Sequence, residues 1–282
     1  MLNAIVSIVD YNSYRLTIRL LRQLAAARSR SVKVVVIANG HADPLREALA
    51  GCDFEGLEVQ FEHCGSNLGF GAGHSLTYAS LEVGQWMWVM NPDLMVDPGW
   101  FERAAQQLEA LPDDVAVAAP TVITPSGPAK TFHRPVGFAG IIRYLLGAFG
   151  LRRVVDRGYC RRNNDPELPY VSVYGVNGAC FAVRRVARDF EPFDPRVFMF
   201  FEEQILAERV RRSGFSTVQL ENVVVQHDVG GTRKAMNRTH KRRLRSSFVR
   251  SERLYLDEYL EWPRALVSLV GAITRCRLLL AG

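Results

Sequence analysis

The sequence predicts an α/β fold in which a mostly parallel sheet is flanked by helices. Short apolar runs of β-forming residues recur through the first third of the chain, and segments with helical periodicity separate them. Continuously apolar strands with helices between them are typical of a parallel sheet that is covered on both faces. The predicted strands are Ala4–Val9, Val32–Ala38, Leu57–His63 and Trp86–Met90.

Helices are predicted between these strands. Leucines recur on one face of Tyr14–Ala27, and Pro44–Ala50 and Ala72–Leu81 are the next two helical segments. The second half of the chain is less regular. Its predicted elements are a helix at Trp100–Glu109, a strand at Ala116–Val122, an excursion from Pro125 to Pro169 with a helix at Phe138–Phe149, a strand–turn–strand unit at Tyr170–Val183, a helix at Glu203–Ser213 and a strand at Val223–Gln226.

Composition narrows the class of protein. The chain has 282 residues, of which 48% are hydrophobic and 23% charged, as in ordinary folded domains. Its net charge of +6 suits anionic partners. The five cysteines are scattered without a CxxC pair, which argues against a disulfide framework or a zinc site and favours a reducing compartment. The apolar start is too short for a signal peptide, and Arg275 and Arg277 interrupt the last apolar stretch.

A polar tripeptide, Asn91-Pro92-Asp93, directly follows one of the apolar strands. It should therefore lie at a strand's carboxyl end, where open α/β sheets bind ligands. A carboxylate there suits a hard cation, because Mg²⁺ takes one or two protein carboxylates together with phosphate oxygens. A turn that merely caps the next helix is the alternative, and it is favoured on the tripeptide alone.

A glycine-rich segment, Asn67–His74, precedes a predicted helix. Such a loop lets backbone N–H groups approach a phosphate at the N-terminus of a helix. A flexible turn is the alternative, and the glycine spacing does not match the dinucleotide-binding pattern.

Two adjacent acids, Glu202 and Glu203, follow an aromatic run and begin a predicted helix. The helix dipole favours acids in a first turn, which is a sufficient structural reason for them. A partly apolar pocket would raise the pKa of such a carboxyl, which suits a general base. The two side chains point in different directions, so at most one serves as the base. His227, after the apolar Val223–Val225, indicates by itself no more than a hydrogen-bonded structural histidine.

Taken in order, these elements resemble the inverting glycosyltransferases of family 2, with the GT-A (Rossmann-like) fold, and in particular bacterial rhamnosyltransferases of surface-polysaccharide assembly. The resemblance extends from about Ala4 to His227. The motifs that carry it are Ser7–Asn12, Asn67–Gly71, Asn91–Asp93, Gly178-Ala179, Phe193-Asp194, Glu202-Glu203, Arg211–Phe215 and His227.

The resemblance implies a role for each matched residue. Asp93 would bind a divalent metal, Mg²⁺ or Mn²⁺, on the donor diphosphate, with Asn91 and His227 supporting that site. Glu203 would deprotonate the acceptor hydroxyl, and Glu202 would be a structural or sugar-contacting acid beside it. The implied donor-binding residues are Tyr11, Asn12, Asn39, Asn67, Gly69, Phe70, Gly71, Asn91 and Asp93, and the implied acceptor-side residues are Gly178 and Ala179.

The reaction implied is a single displacement with inversion. A sugar, with rhamnose from dTDP-rhamnose as the suggested case, would pass from a nucleotide diphosphate to a glycan or polyprenyl-linked glycan acceptor. The chain departs from the family pattern at Ala38, where an Asp commonly contacts the nucleobase, at Asn91, the first position of Asp-x-Asp, and at Glu203, where Asp is commoner. These departures keep open a catalytically silent nucleotide-sugar-binding scaffold of a glycan assembly complex.

The predicted organisation is a glycosyltransferase domain at residues 1–228, divided into a nucleotide-sugar half (1–95) and an acceptor half (96–228), and a basic helical region at 229–282. The basic run from Arg233 to Arg253 is most simply a solvated helix face. Contact with an anionic membrane, a homodimer and packing on the core each explain the apolar residues that follow it. No nucleic-acid partner is expected, and the expected location is the cytoplasm, peripheral on the inner face of the cell membrane. The apolar residues are Trp262, Leu266, Leu269, Val270, Ile273 and Leu278–Leu280.

Overall fold

The computed structural model of the protein describes residues 4–27, 32–54, 56–149, 151, 168–228 and 238–280. Its strands join in one ten-stranded sheet. They are β1 Ala4–Asp10, β2 Val32–Ala38, β3 Glu58–His63, β4 Trp86–Met90, β5 Leu94–Met95, β6 Val115–Thr124, β7 Gly127–Pro128, β8 Tyr170–Ser172, β9 Cys180–Arg184 and β10 Ser216–His227.

The strand order is β3-β2-β1-β4-β9-β6-β10-β5, with β7 beside β6 and β8 beside β10. The strands β3, β2, β1 and β4 are parallel neighbours, and so are β6 and β10. Because β9 is antiparallel to both β4 and β6, all six of these strands run in one direction. Their carboxyl ends therefore share one edge of the sheet, and the predicted α/β class is confirmed.

Helices cover both faces of this sheet. Residues of β4 alternate between the two apolar cores: Trp88 lies on the side of the first and fourth helices, and Met87 and Val89 on the other. Trp88 packs edge-on against Trp100 at 4.9 Å between ring centroids. The helices are α1 Tyr14–Ala27, α2 Ala42–Ala50, α3 Phe70–Ala79, α4 Trp100–Glu109, α5 Gly137–Ala148, α6 Glu202–Arg212, α7 Arg238–Leu254, a π-helical turn Tyr255–Tyr259, and α8 Arg264–Leu280.

The second half differs from the sequence prediction in how its strands pair. The two strands expected within Tyr170–Val183 form, but β8 pairs with β10 whereas β9 pairs with β4 and β6. The short strand expected at Val223–Gln226 is the end of the longer β10, whose register against β6 shifts between Gln219 and Val224. Part of the predicted excursion, residue 150 and residues 152–167, lies outside the described residues.

The C-terminal helices pack against the rest of the chain and form a third apolar cluster with it. Among the apolar residues weighed above for a membrane, Trp262 and Val270 are buried in this cluster, so packing on the core accounts for them. Leu269 and Leu279 are exposed. The start of the basic run, residues 233–237, lies outside the described residues. In the described part of the chain, no helix combines the length and apolarity needed to cross a bilayer. The buried members of the cluster are Val197, Phe201, Ile205, Tyr255, Leu256, Tyr259, Trp262, Val267 and Val270.

Candidate active site

The turn after β1 is built by a buried aspartate that sequence reasoning did not select. Asp10 is 2% exposed, and its carboxylate accepts hydrogen bonds from the backbone N–H and hydroxyl of Ser13 and from the hydroxyl of Thr17. It thereby ties the end of β1 to the first turns of α1. An aspartate three residues before a serine at the start of an amphipathic helix is the available sequence signal, since both residue types favour helix N-termini.

Asn12, in the same turn, joins β1 to the turn after β2. Its backbone has a positive φ of 56°, which asparagine tolerates better than most residues. Its side-chain oxygen accepts a hydrogen bond of 2.8 Å from the backbone N–H of His41. The predicted donor-binding turn Tyr11-Asn12 is thus held in a defined conformation at the ligand edge of the sheet.

Asn39, after β2, organises the glycine-rich segment. Its side-chain oxygen accepts from the Leu68 N–H at 2.8 Å, and its side-chain nitrogen donates to the Asn67 side chain at 3.1 Å and to the Gly69 carbonyl at 2.9 Å. The Asn67 oxygen also accepts from the Gly69 N–H. Both asparagines therefore brace the loop, and direct contact with a donor stays a prediction for them.

Gly69 is required by a close approach between two backbone segments. Its φ is 91°, and a Cβ at this position would lie 2.1 Å from the Phe198 carbonyl oxygen. The next residue, Phe70, donates its N–H to the same oxygen at 3.2 Å. The loop is thus fixed against the segment before Glu202 and is not a flexible turn. A phosphate-binding role for Gly69, Phe70 and Gly71 stays a prediction.

Asp93 and His227 meet because β5 pairs antiparallel with the end of β10, which places His227 opposite Leu94. The His227 Nε2 atom lies 3.1 Å from Asp93 Oδ1, and the Asp228 N–H donates to the Asp93 carbonyl at 3.0 Å. Asp93 is 7% exposed. Two residues separated by 134 positions thus form one pair at the ligand edge, and its role in binding a metal stays a prediction.

This pair is chemically suited to a divalent metal. It offers one carboxylate and one imidazole, and a metal on a diphosphate needs few protein ligands because phosphate oxygens and water supply the others. Within the described ranges, no three His, Cys, Asp or Glu side chains gather into a metal-binding group. The residues at hand therefore fit a metal that binds together with the donor. Asn91, also predicted at this site, lies two residues before Asp93 and donates its backbone N–H to the Ala179 carbonyl at 2.9 Å.

The Asn91–Ala179 hydrogen bond places the second carboxylate site next to the first. Gly178, beside Ala179, contacts Glu203 so closely that a Cβ on Gly178 would lie 1.9 Å from Glu203 Oε1. The absence of a side chain on Gly178 is therefore what admits the Glu203 carboxylate. Gly178, one of the two predicted acceptor-side residues, is therefore in contact with the predicted base.

The pKa values of both acids of the pair are raised. Burial raises the pKa of Glu203, although hydrogen bonds from the backbone N–H groups of Glu203 and Gly178 oppose the increase. Burial raises the pKa of Glu202 well above its ordinary value, and repulsion by the Glu203 carboxylate raises it further. Glu202 is 7% exposed, and its Oε1 atom has no hydrogen-bond partner. Hydrogen bonds from the backbone N–H groups of Glu202 and Phe200 oppose the increase, but burial is the largest influence and favours the neutral carboxyl.

The acid pair follows two strained residues. Phe200 and Phe201 have φ values of 72° and 66°, in the left-handed region that bulky side chains seldom adopt. Such conformations cost on the order of 1–3 kcal/mol each and persist where the surrounding structure imposes them. The aromatic run that precedes the acid pair therefore also contains the two residues at which the chain turns into α6.

Comparisons with known proteins agree with this geometry. The model of the family described as Glycosyl transferase family 2 matches residues 6–187 of the chain. Two relatives, the N-acetylglucosaminyl-diphospho-decaprenol L-rhamnosyltransferases of Mycobacterium tuberculosis strains CDC 1551 and H37Rv, are each 28% identical to it. Each match covers 74% of this chain and 70% of the relative.

Three solved structures show the same fold. GalNAc-T7 with UDP, GalNAc and Mn²⁺ matches with a TM-score of 0.60 and 15% identity, over 92% of this chain and 49% of that one. This chain thus spans about half the length of GalNAc-T7. TarS 1–349 of S. aureus (TM-score 0.58, 13% identity) is covered over 97% of this chain and 70% of that one. The mannosyltransferase PcManGT of Pyrobaculum calidifontis with GDP-Man and Mn²⁺ (0.58, 13%) is covered over 96% and 69%. The predicted GT-A fold is confirmed.

Proposed function

This chain belongs to glycosyl transferase family 2, and from that premise we propose that it is a metal-dependent, inverting sugar transferase of cell-surface polysaccharide synthesis. The observation that carries the proposal is that two candidate sites lie next to each other. The Asp93–His227 pair and the Glu203–Gly178 contact lie at adjoining strand ends that the Asn91–Ala179 hydrogen bond connects.

Glu203 is proposed as the base. Its carboxylate would accept the proton of the acceptor hydroxyl as that oxygen bonds to the anomeric carbon and the bond from this carbon to the diphosphate oxygen breaks. Burial that raises the pKa of Glu203 makes it a stronger base than an ordinary carboxylate. Glu202, buried and lacking a partner on Oε1, would stay protonated and leave a single negative charge beside the reacting sugar.

Asp93 and His227 would hold the metal, with Asn91 beside them. A bound Mg²⁺ or Mn²⁺ would supply Lewis-acid stabilisation of the charge that develops on the departing diphosphate. Mn²⁺ accompanies UDP in GalNAc-T7 and GDP-Man in PcManGT, which supports a metal requirement here. The braced turns at Tyr11-Asn12 and Asn67–Gly71 would enclose the rest of the donor.

The M. tuberculosis relatives suggest both substrates. Their name describes transfer of L-rhamnose to N-acetylglucosaminyl-diphospho-decaprenol. We therefore propose rhamnose as the donor sugar, with dTDP-rhamnose as the donor, and a polyprenyl-linked glycan as the acceptor. Ala38, in place of a carboxylate at the end of β2, means that another group would have to recognise the nucleobase.

A lipid-linked acceptor requires access to a membrane, and α5 with α8 offers a suitable surface. Phe138 is 81% exposed, Phe149 63% and Leu279 73%, and the Arg277 guanidinium donates to the Gly147 carbonyl where the two helices meet. Neither helix contains an acidic residue. An apolar surface with only positive charges suits an anionic bilayer. The arginines of these helices are Arg143, Arg264, Arg275 and Arg277.

Sedimentation with vesicles tests this surface. The protein should bind vesicles that contain phosphatidylglycerol at low salt, and Phe138→Glu with Leu279→Glu should abolish binding. Val83→Glu changes an exposed valine elsewhere and serves as the matched control. No binding by the wild-type protein would refute the membrane surface, and mass that increases with concentration would favour a homodimer through this face.

Release of nucleotide diphosphate tests the reaction. The wild-type protein would be incubated with dTDP-, UDP- and GDP-sugars, Mg²⁺ or Mn²⁺, and membrane extract as the acceptor source. Release from one donor, lost in Asp93→Ala and in Glu203→Gln, is the expected result. Intact nucleotide binding without release from any donor would instead favour a silent sugar-nucleotide-binding scaffold.

A further inference from the structure

We propose that α7 is a working part of the active site, in which Ser247 and Ser251 are positioning residues for Glu202 and Glu203. The basic C-terminal helix would then clamp the segment that carries the acid pair, in addition to presenting a charged face to solvent. The inference rests on the proposed function, because it assigns these serines to the same site.

The first evidence is a pair of hydrogen bonds to one carbonyl. The hydroxyl groups of Ser247 and Ser251 both donate to the Met199 carbonyl oxygen, at 3.0 and 3.1 Å. Both serines are buried. Residues four apart lie on one helix face, so the two hydroxyls reach the same oxygen from successive turns. A carbonyl oxygen has two lone pairs, and both are used here.

The second evidence is aromatic packing from the same helix. The Phe248 ring lies 5.3 Å from the Phe200 ring and 5.2 Å from the Phe201 ring, between centroids. The Arg243 guanidinium lies 4.4 Å from the centroid of the Phe198 ring. Every residue from Phe198 to Phe201 is therefore contacted by α7.

The segment from Phe198 to Phe201 needs contacts from outside itself to keep its conformation. Phe200 and Phe201 both have positive φ, and a bulky residue keeps such a conformation only where its surroundings impose it. At one end of the segment, the Phe198 carbonyl accepts the Phe70 N–H of the glycine-rich loop. At the other end, the Phe201 carbonyl accepts the Ile205 N–H and so begins α6, whose first two residues are the acid pair. The contacts of α7 therefore help to fix both the glycine-rich loop and the base Glu203.

The two hydroxyls share one acceptor, so their removal should be strongly non-additive. Ser247→Ala or Ser251→Ala leaves one donor on the Met199 carbonyl, and kcat should fall less than about threefold. The double variant removes both hydroxyl donors from the Met199 carbonyl, and an unsatisfied carbonyl costs more than the first lost hydrogen bond. We expect kcat to fall on the order of 30-fold while the KM for the donor changes little, because the acid pair acts in the chemical step.

A pH profile separates positioning from mere stability. Burial raises the pKa of both acids. Loosening the clamp would admit water around them, so the acidic limb of the kcat/KM profile should move to lower pH in the double variant. Ser246→Ala removes an exposed serine of the same helix and should leave kcat and the profile unchanged.

The experiment measures donor turnover from pH 5 to 9 together with thermal melting, for the wild-type protein, both single variants, the double variant and Ser246→Ala. A synergistic loss of kcat with a displaced acidic limb supports the clamp. An active double variant with an unmoved limb and wild-type kcat overturns it, as does a kcat loss that only follows the loss of folded protein. If the double variant does not fold, Phe248→Leu takes its place with the same two outcomes. A wild-type protein that turns over no donor overturns the proposed function itself.

Discussion

Substitution of Gly178 by alanine should impair catalysis far more than folding. A Cβ at this position would lie 1.9 Å from Glu203 Oε1, whereas ordinary contacts begin at about 3.4 Å, so the carboxylate must retreat by roughly 1.5 Å. The atoms displaced all belong to the flexible Glu203 side chain, whose Cδ and Cγ would lie 2.7 and 3.0 Å from the same Cβ, and we therefore expect the free energy of unfolding to change by about 1 kcal/mol. A misplacement of about 1 Å costs on the order of 100-fold in rate, or about 2.7 kcal/mol in the barrier.

The assay is steady-state release of nucleotide diphosphate at saturating donor and acceptor, with urea unfolding measured in parallel. Gly175→Ala is the matched control, since a Cβ there would meet Ala207 and Phe132 at 3.4 Å, an ordinary contact. We expect Gly175→Ala to keep kcat within about threefold of the wild-type value. A folded Gly178→Ala variant with equally small loss would refute the contact between Gly178 and a catalytic Glu203.

Three further predictions follow from the charges of the site and its surroundings. Burial acts to raise the pKa of Asp194, but hydrogen bonds from Arg196 and Tyr259 lower it to about 2, so Asp194→Asn should reduce the free energy of unfolding at pH 7 by about 2 kcal/mol. That difference should persist above about pH 4, where the unfolded chain is ionised, and close as pH falls toward 2, as urea titrations across pH would measure. Burial lowers the pKa of His74 to about 3, so below pH 6.5 the unfolded chain binds a proton that the folded chain does not, and the folded state loses stability. This loss amounts to at most about 1.4 kcal/mol per pH unit. His74→Gln should abolish it, as the same urea titrations would measure. His227→Ala should raise the Mn²⁺ concentration for half-maximal activity at least about tenfold, with the exposed His63→Ala as its control, and an unchanged Mn²⁺ requirement would exclude His227 from the metal site.

Local sequence patterns predicted the helices and strands of the fold, but they did not predict which distant strands pair. Tyr14–Ala27, Trp86–Met90 and Trp100–Glu109 form as the sequence indicated, because their apolar spacing and flanking turns act within a few residues. Pairing of β8 with β10 and of β9 with β4 joins segments far apart in the chain, and nothing in either strand's own sequence names its partner.

The candidate site was predictable as far as the resemblance identified residue types. Asp93 and His227 were expected together, and they are adjacent. The sequence did not show which polar groups each of the other polar side chains binds. The Asn39 side-chain amide binds the glycine-rich loop through two backbone groups and the Asn67 side chain, an arrangement that depends on how these three groups lie around it. Asp10 lies within the Ser7–Asn12 motif, but its hydrogen bonds with Ser13 and Thr17 become visible only in the structure.

The C-terminal helices show most clearly why an apolar pattern leaves function open. Their amphipathic sequence predicted a buried face, and it left a membrane, a second copy and the core open as the covering surface. The structure divides that face: Trp262 and Val270 pack on the core, while Leu279 stays exposed. The contacts with the deepest consequence involve Ser247 and Ser251, polar residues within a basic run that composition alone identifies with solvent. These contacts matter because they hold a strained segment, and the strain at Phe200 and Phe201 cannot be predicted from the residue type phenylalanine.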